Sequence, residues 1–239
     1  MKLSKKKFAA MIDQTLLRPD VTEAEVEVFC KQASELHFAS VCINPLFVPL
    51  AHSILASSKV KVCTVVDFPL GAGGLTAKSY GATASIAVGA DEVDIMIDLS
   101  LVKAHKWRQL RTQLNHIIKS VRKSSEHRID AESREPAIAK LILETSALSD
   151  EEIVESCKCA KRVGFDFVKT STGFGSGGAT VHAVRLMRQT VGTDMGVKAS
   201  GGIRSIKDAL ALIEAGASRI GTSSGEKLLE SFVESEYPD

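Results

Sequence analysis

Short apolar runs rich in β-branched residues alternate with longer segments of helical spacing along nearly the whole chain. Such runs are typical of strands, and the intervening segments have the periodicity of amphipathic helices. The predicted strands are residues 11–16, 39–44, 61–67, 91–99, 139–145, 166–171, 195–200 and 218–223. The predicted helices are residues 22–36, 45–57, 75–88, 102–124, 149–163, 180–191, 205–215 and 225–234. This alternation favours repeated βα units with parallel strands.

The junction from helix to strand recurs in three segments, AVGADEVDI, RVGFDFVKT and EAGASRIGT. In each, a glycine stands where a left-handed residue just past a helix is expected, namely Gly89, Gly164 and Gly216. Eight strands in 239 residues fit a (β/α)8 barrel. We therefore predict an α/β fold, a single (β/α)8 TIM barrel domain over residues 1–239 with an extra N-terminal helix. An open doubly wound sheet is the alternative. The polar segment 124–138 is predicted to be a surface loop.

Charge and cysteine content argue against several classes of partner. The net charge of +1 gives no electrostatic support for binding nucleic acid or an acidic membrane surface. No apolar run approaches the roughly 18 residues that span a bilayer. The five cysteines are odd in number and contain no CxxC pair, so we expect reduced thiols in a cytoplasmic protein rather than a disulfide framework or a zinc site.

Two lysines occupy equivalent places in FDFVKTSTG and MGVKASGG, Lys169 and Lys198. They are about one βαβ unit apart, so neighbouring parallel strands would carry both to the end of a barrel where active sites lie. A lysine amine attacks a carbonyl only when neutral, and a second cation together with burial disfavours the ammonium form. The pair therefore suggests one Schiff-base lysine and one that tunes it. The alternative is that each lysine extends its ammonium group into water at a strand end.

A carboxylate in the segment DEVDIMID completes this set. Asp94, Met96 and Asp98 share one face of the predicted strand. Carboxylates are unfavourable in a strand unless the face is wet or functional. We interpret Asp94 as a proton shuttle near the lysines, with a structural ion pair to one lysine as the alternative.

Glycine-rich loops follow three successive predicted strands, in the segments STGFGSGG, SGGIR and GTSSG. Glycines let backbone N–H groups approach an oxyanion, and barrels frequently bind phosphate after their last two strands. The segment GFGSGG also matches G-x-G-x-x-G, but the next strand ends in Lys198 rather than in the acidic residue of a dinucleotide site. The pattern indicates a phosphate site, unless these loops are ordinary βα turns.

These motifs, with MIDQTLL, SVCINP and VVDFPLGA, resemble the 2-deoxyribose-5-phosphate aldolase family over residues 11–225. The resemblance implies a class I aldolase without a metal or other cofactor, which reversibly cleaves a small phosphorylated sugar, 2-deoxy-D-ribose 5-phosphate, to D-glyceraldehyde 3-phosphate and acetaldehyde. It implies that Lys169 forms the Schiff base, that Lys198 perturbs it and that Asp94 relays protons through water. It also implies a substrate pocket of Asp13, Thr15, Cys42 and Thr172, and a phosphate site of Gly173, Gly201, Gly202, Ser223 and Ser224.

Some alternatives stay open at this point. Another Schiff-base phospho-sugar aldolase, a transaldolase-like enzyme, a non-catalytic metabolite-binding barrel and an isomerase that uses Asp94 as its base are all compatible with the same fold. Asp98 departs from the asparagine expected in many bacterial members, and a carboxylate there would favour the lysine ammonium forms if it faced the pocket. We expect a homo-oligomer, a dimer or a tetramer.

Overall fold

The computed structural model describes residues 3–126 and 135–233. Eight parallel strands close into a barrel in the order β1 to β8, each hydrogen-bonded to its neighbours in sequence. The strands are β1 Ile12–Leu16, β2 Ser40–Ile43, β3 Lys61–Val66, β4 Glu92–Met96, β5 Ile138–Ile142, β6 Phe167–Lys169, β7 Gly196–Ser200 and β8 Arg219–Thr222. The closed order confirms the predicted (β/α)8 barrel and rules out the open sheet.

Helices surround this barrel. They are α1 Lys5–Ala9, α2 Glu23–Glu35, α3 Val48–Leu55, α4 Gly74–Ala87, α5 Leu99–Lys103, α6 Trp107–Ser125, α7 Asp150–Val163, α8 Val181–Val191, α9 Ile206–Glu214 and α10 Gly225–Glu230. Short 3-10 turns cover Pro45–Phe47 and Thr145–Ala147. Helix α1 is the predicted extra N-terminal helix. Gly89, Gly164 and Gly216 all have positive φ, as the helix-to-strand junctions predicted.

The boundaries around β4 differ from the prediction. The strand ends at Met96 rather than at residue 99, because Asp98 is the N-cap of α5 and accepts hydrogen bonds from the N–H groups of Ser100 and Leu101. The predicted helix 102–124 is two helices, α5 and α6, and between them His105 has a φ of 52°. Helix α10 ends at Glu230, short of the predicted residue 234, which lies outside the described residues.

The predicted loop 124–138 is described only at its flanks. Helix α6 continues to Ser125 and β5 begins at Ile138. Residues 127–134 lie outside the described residues.

The two faces of the barrel wall have different chemistry. Outward-facing residues such as Val41 and Ile43 belong to the large apolar core between strands and helices. The intervening Cys42 belongs to a second small apolar cluster with Leu17, Cys63 and Val65. Charged residues on β1, β4, β5 and β7 are buried on this inner side, namely Asp13, Glu92, Asp94, Lys140 and Lys198. The barrel interior is thus largely ionic, and the apolar core lies outside it.

No helix in residues 3–126 and 135–233 combines the length and the apolar character needed to cross a membrane.

Helix α1 packs against the segment that follows α10 through two aromatic rings. Phe8 is fully buried and stacks on Phe232 with ring centroids 5.1 Å apart. Phe8→Ala is expected to lower the free energy of unfolding by about 3–5 kcal/mol, because it leaves a ring-sized cavity. Urea denaturation followed by circular dichroism measures this loss. The control Val28→Ala, at a side chain that is 68% exposed, is expected to change stability by less than about 0.5 kcal/mol. A loss at Phe8 no larger than the control would contradict this packing.

Candidate active site

Two lysines and one carboxylate meet at the carboxyl ends of the strands. Lys169 on β6 and Lys198 on β7 are register partners, as the sequence predicted. Both Nζ atoms lie 2.8 Å from the same oxygen, Oδ2 of Asp94 on β4. Lys198 and Asp94 are fully buried, and Lys169 is 2% exposed. The barrel therefore brings together the three residues that sequence analysis selected as a catalytic group.

A third lysine completes the shell around Asp94. Lys140 on β5 is the register partner of Asp94, and its Nζ lies 2.7 Å from Oδ1. The same Nζ lies 3.2 Å from Sγ of Cys63, a thiol that is 3.3 Å from Oδ1 of Asp94. Lys140 is not among the residues predicted from sequence. It could have been predicted, because it is a charged residue inside the apolar strand segment AKLILET. The same pattern led to the prediction of Asp94.

A deeper layer of ion pairs supports these groups from below. Asp13 on β1 lies 2.6 Å from Nζ of Lys198 and 2.5 Å from a guanidinium nitrogen of Arg219 on β8. Glu92 on β4 lies 2.5 Å from Nζ of Lys140 and 3.3 Å from Arg219. Lys198 and Arg219 each bridge a carboxylate on β1 and a carboxylate on β4, so the network ties opposite sides of the barrel together.

Among the described residues this network contains four cations and three carboxylates. Burial acts to raise the pKa of Asp94, but the ammonium groups of Lys140, Lys169 and Lys198 outweigh it and hold that pKa well below its usual value. Burial acts to lower the pKa of Lys198, but the carboxylates of Asp13 and Asp94 outweigh it and raise that pKa. Asp94 is therefore an anion, and Lys198 keeps its proton.

A cavity of about 360 Å³ opens above this network. Lys169 lines it, together with six residues predicted for substrate or phosphate binding: Thr15, Thr172, Gly173, Gly201, Gly202 and Ser223. Asp13 and Cys42 are not in its lining, because both are fully buried in the barrel beneath it. Ser224 is also outside the lining, since it is the N-cap of α10 and its N–H donates to Oγ1 of Thr222. Arg18 and Arg204, which sequence analysis did not select, line the same cavity.

The loop after β6 is held by a residue that sequence analysis also missed. Oε2 of Glu144, just after β5, accepts hydrogen bonds from the hydroxyl and the N–H of Thr172. Glu144 has a φ of 57°, which is uncommon for a residue other than glycine. The N–H of Phe174 donates to Oγ1 of Thr172 at 3.0 Å. The Thr172 hydroxyl proton is thus directed to Glu144, and its oxygen can only accept further hydrogen bonds from a ligand.

The loops after β6 and β7 approach each other closely. The N–H of Ala179 donates to the carbonyl oxygen of Gly201 at 3.1 Å. A Cβ atom at Gly178 would lie 2.1 Å from that oxygen, so only glycine fits there. Gly201 and Gly202 both have positive φ. This packing holds the glycine-rich segments together at one rim of the cavity.

The comparisons with known proteins agree with this geometry. Residues 7–231 match the family model described as DeoC/LacD family aldolase. The chain belongs to the DeoC/LacD aldolase family.

Several members of this family are similar along nearly their whole length. Deoxyribose-phosphate aldolase of Caldanaerobacter subterraneus subsp. tengcongensis is 48% identical over 225 residues, which cover 94% of this chain and 93% of the relative. The enzyme of the same name from Carboxydothermus hydrogenoformans is 46% identical over 235 residues, covering 98% and 99%. Among solved structures, deoxyribose phosphate aldolase from Aeropyrum pernix, described as tetrameric, has a TM-score of 0.84 and 34% identity, covering 97% of this chain and 93% of that one.

Asp98 of this aldolase does not face the lysines. The sequence placed it on the same strand face as Asp94, but the strand has ended by then and Asp98 caps α5. Its second oxygen lies 3.4 Å from the side-chain nitrogen of Gln113 on α6. The grouping of Asp98 with Asp94 was therefore wrong, because helix capping takes the side chain out of the strand alternation.

Among the residues that the structure describes, one group has the spacing of metal ligands. Sγ of Cys42, Sγ of Cys63 and a carboxylate oxygen of Asp94 lie within 4.8 Å of one another. The oxygens of Asp94 already contact three lysine ammonium groups, and a cation placed here would be repelled by them. The three ammonium groups therefore disfavour a metal ion at this position.

The lowered pKa of Asp94 gives a testable pH dependence. Its carboxylate contributes stability that is fully present above the unfolded value of about 3.9 and is lost as pH falls towards the folded pKa. Between pH 5 and 3, the free energy of unfolding of Asp94→Asn is expected to fall less steeply than that of the wild type, by up to about 1.4 kcal/mol per pH unit. Urea titrations at several pH values measure both slopes. The matched control Asp98→Asn removes a carboxylate outside the network and should keep a steeper slope than Asp94→Asn. Equal slopes for Asp94→Asn and the wild type would contradict the network.

Proposed function

We propose that this protein is a deoxyribose-phosphate aldolase of class I. It would reversibly cleave 2-deoxy-D-ribose 5-phosphate to D-glyceraldehyde 3-phosphate and acetaldehyde through a lysine Schiff base. The observation that carries the proposal is the convergence of Lys169 and Lys198 on one carboxylate oxygen of Asp94 below an open cavity. Membership of the aldolase family and the names of the full-length relatives support the same reaction.

The nucleophile in this proposal is Lys169. It lies within 4.0 Å of one carboxylate, that of Asp94, whereas Lys198 contacts two and Lys140 contacts three among the described residues. Lys169 also lines the cavity, which places its amine where a substrate carbonyl can reach it. With all its lysines protonated, the network carries four positive and three negative charges. Loss of one lysine proton therefore leaves three charges of each sign. Lys169 is the lysine whose ammonium form has the fewest anionic partners.

The reaction follows from a neutral amine at this position. Nζ of Lys169 adds to the aldehyde carbon C1, and loss of water gives an iminium ion. A base removes the proton of the C3 hydroxyl, the C2–C3 bond breaks, and its electron pair moves into the iminium to give an enamine and D-glyceraldehyde 3-phosphate. Protonation of the enamine at C2 and hydrolysis of the new iminium release acetaldehyde and restore the amine.

Asp94 and Lys198 would move the protons in these steps. Asp94 contacts both lysines through one oxygen, so it can accept a proton beside the reacting nitrogen while Lys198 keeps its own positive charge. A water molecule between this pair and the substrate would carry protons to and from the C3 hydroxyl and C2. Asp13 would hold Lys198 in position from below through their ion pair. Cys42, which is also buried beneath the cavity, would form part of the floor under the substrate.

The phosphate would bind at the glycine-rich rim of the cavity. Gly173, Gly201, Gly202 and Ser223 line this rim, and Ser224 begins the helix that follows. Backbone N–H groups of glycines can approach an oxyanion closely, and the loops after β7 and β8 are a frequent phosphate site in barrels. Thr15 and Thr172 would then contact the middle of the substrate chain. A bound phosphate holds C1 in line with Lys169 and reduces the entropy lost in the reaction.

Three further parts of the proposal concern the whole molecule. Residues 1–239 would form one barrel domain. The protein would assemble as a dimer or a tetramer, as the tetrameric description of the Aeropyrum pernix structure suggests. It would act in the cytoplasm, since all five cysteines are buried and unpaired, which suits a reducing compartment.

The Schiff base makes a direct prediction. With 2-deoxyribose 5-phosphate and borohydride, the wild type should gain one reduced adduct on the peptide carrying Lys169, because reduction fixes the iminium. Lys169→Met should give no adduct and should lose turnover by at least about a thousandfold, since the covalent route is removed. Intact and peptide mass spectrometry measures the adduct.

The control for this experiment is Lys119→Met, at an exposed lysine on α6, which should behave as the wild type. An adduct on Lys198 would keep the class of reaction and reverse the two lysine roles. Near-normal turnover of a folded Lys169→Met would contradict the mechanism. In the direction of aldol addition, a preference for dihydroxyacetone phosphate over acetaldehyde as the donor would assign a different aldolase.

A further inference from the structure

The ring of Phe68 lies over the amine of Lys169. Nζ is 5.9 Å from the ring centroid, within the range of a cation–π contact. Phe68 follows β3 and is partly buried against the small apolar cluster that contains Leu17 and Cys42. No role was predicted for Phe68 from the sequence.

A buried ion pair holds the loop that carries Phe68. Lys78 on α4 is fully buried, and its Nζ lies 2.5 Å from Oδ2 of Asp67. The same Nζ donates to the carbonyl oxygens of Gly71 and Met96 at 2.9 and 2.8 Å. The carboxylate of Asp67 also accepts from the N–H of Gly73. One ammonium group thus ties Asp67 and Gly71, on either side of Phe68, to the end of β4.

A second aromatic ring lies beside that of Phe68. Phe174 packs against Phe68 in an edge arrangement, with centroids 5.4 Å apart and an interplanar angle of 89°. Phe174 is 57% exposed and lines the cavity. It belongs to the loop after β6 that Thr172 and Glu144 hold in place. The two rings therefore form an apolar wall on one side of the reacting nitrogen.

The reaction changes what Lys169 can bond to. As an ammonium group it has three N–H donors, but as an iminium ion it has one, and its positive charge spreads towards the carbon. Hydrogen bonds to Asp94 can therefore stabilise the ammonium form more fully than the iminium form. An aromatic face needs no N–H donor to attract a cation, and its attraction is stronger where water is excluded.

We propose that Phe68 is a catalytic residue whose ring face stabilises the iminium ion on Lys169. The proposal rests on the Schiff-base function proposed above. It assigns the loop after β3, with its Lys78–Asp67 anchor, to the chemical step rather than to binding of the phosphate. Fluorine atoms on the ring weaken the negative potential of its face with little change in size, so they separate this role from packing.

The test replaces Phe68 with phenylalanine analogues that carry one, two or three ring fluorines, introduced by nonsense suppression. At saturating 2-deoxyribose 5-phosphate, the borohydride-trapped fraction and kcat should fall stepwise with fluorine number, by about tenfold in kcat over the series. The matched control is the same series at Phe174, which lines the cavity and packs edge-on against Phe68. The decrease with fluorine number should be much shallower at this position. Circular dichroism and thermal unfolding verify that each protein is folded.

The outcomes separate the two proposals. Adduct formation by the wild type, with no trend at position 68, would overturn the role of Phe68 and leave the aldolase intact. A trend at position 174 as steep as that at 68 would also overturn it, because the effect would then belong to the apolar wall in general. Absence of an adduct in the wild type would instead refute the Schiff-base function on which this inference rests.

Discussion

The contact of the Asp94 carboxylate with three lysines is the interaction on which the rest of the site depends. Three lysine Nζ atoms lie within 2.8 Å of its two oxygens, and all four residues are buried in the barrel. Without this anion, Lys140, Lys169 and Lys198 would repel one another at close range. Removal of one partner from a buried charge network commonly costs several kcal/mol, because the remaining charges are left uncompensated. The anion therefore allows several lysines to share one small volume.

The fold places these groups without requiring them to be close in sequence. Asp94 is level with Lys140, and Lys169 is level with Lys198. The strands β4, β5, β6 and β7 therefore each contribute one charged side chain to a single cluster. Below them, Asp13, Glu92 and Arg219 form a second layer of ion pairs. The loops above are fixed by separate devices, the Lys78–Asp67 pair after β3 and the Glu144–Thr172 contact after β6. A rigid ionic floor and two anchored loops enclose a cavity with one reactive amine.

Much of this arrangement could be predicted from sequence because it depends on periodicity. The eight strands and the pairing of Lys169 with Lys198 follow from regular alternation, and Asp94 was recognisable as a charge inside an apolar strand. Lys140 carried that same signal but lacked an adjacent glycine loop, so it was missed. Asp98 was placed wrongly because N-capping of α5 competes with strand alternation. Glu144 and Phe68 could not be found, since their roles depend on a left-handed backbone and on a ring orientation that only the tertiary structure sets.

The most direct measurement of the central claim is the protonation state of the individual lysines in the substrate-free protein. Proteins with ¹³C-labelled lysine can be titrated by NMR, with Lys140→Met, Lys169→Met and Lys198→Met used to assign the resonances. We expect Lys169, identified by the resonance that disappears in Lys169→Met, to lose its proton first within the network. Lys140 and Lys198 should remain ammonium groups. Assignment of that first deprotonation to Lys198 or Lys140 would contradict the charge balance proposed here and the choice of Lys169 as the nucleophile.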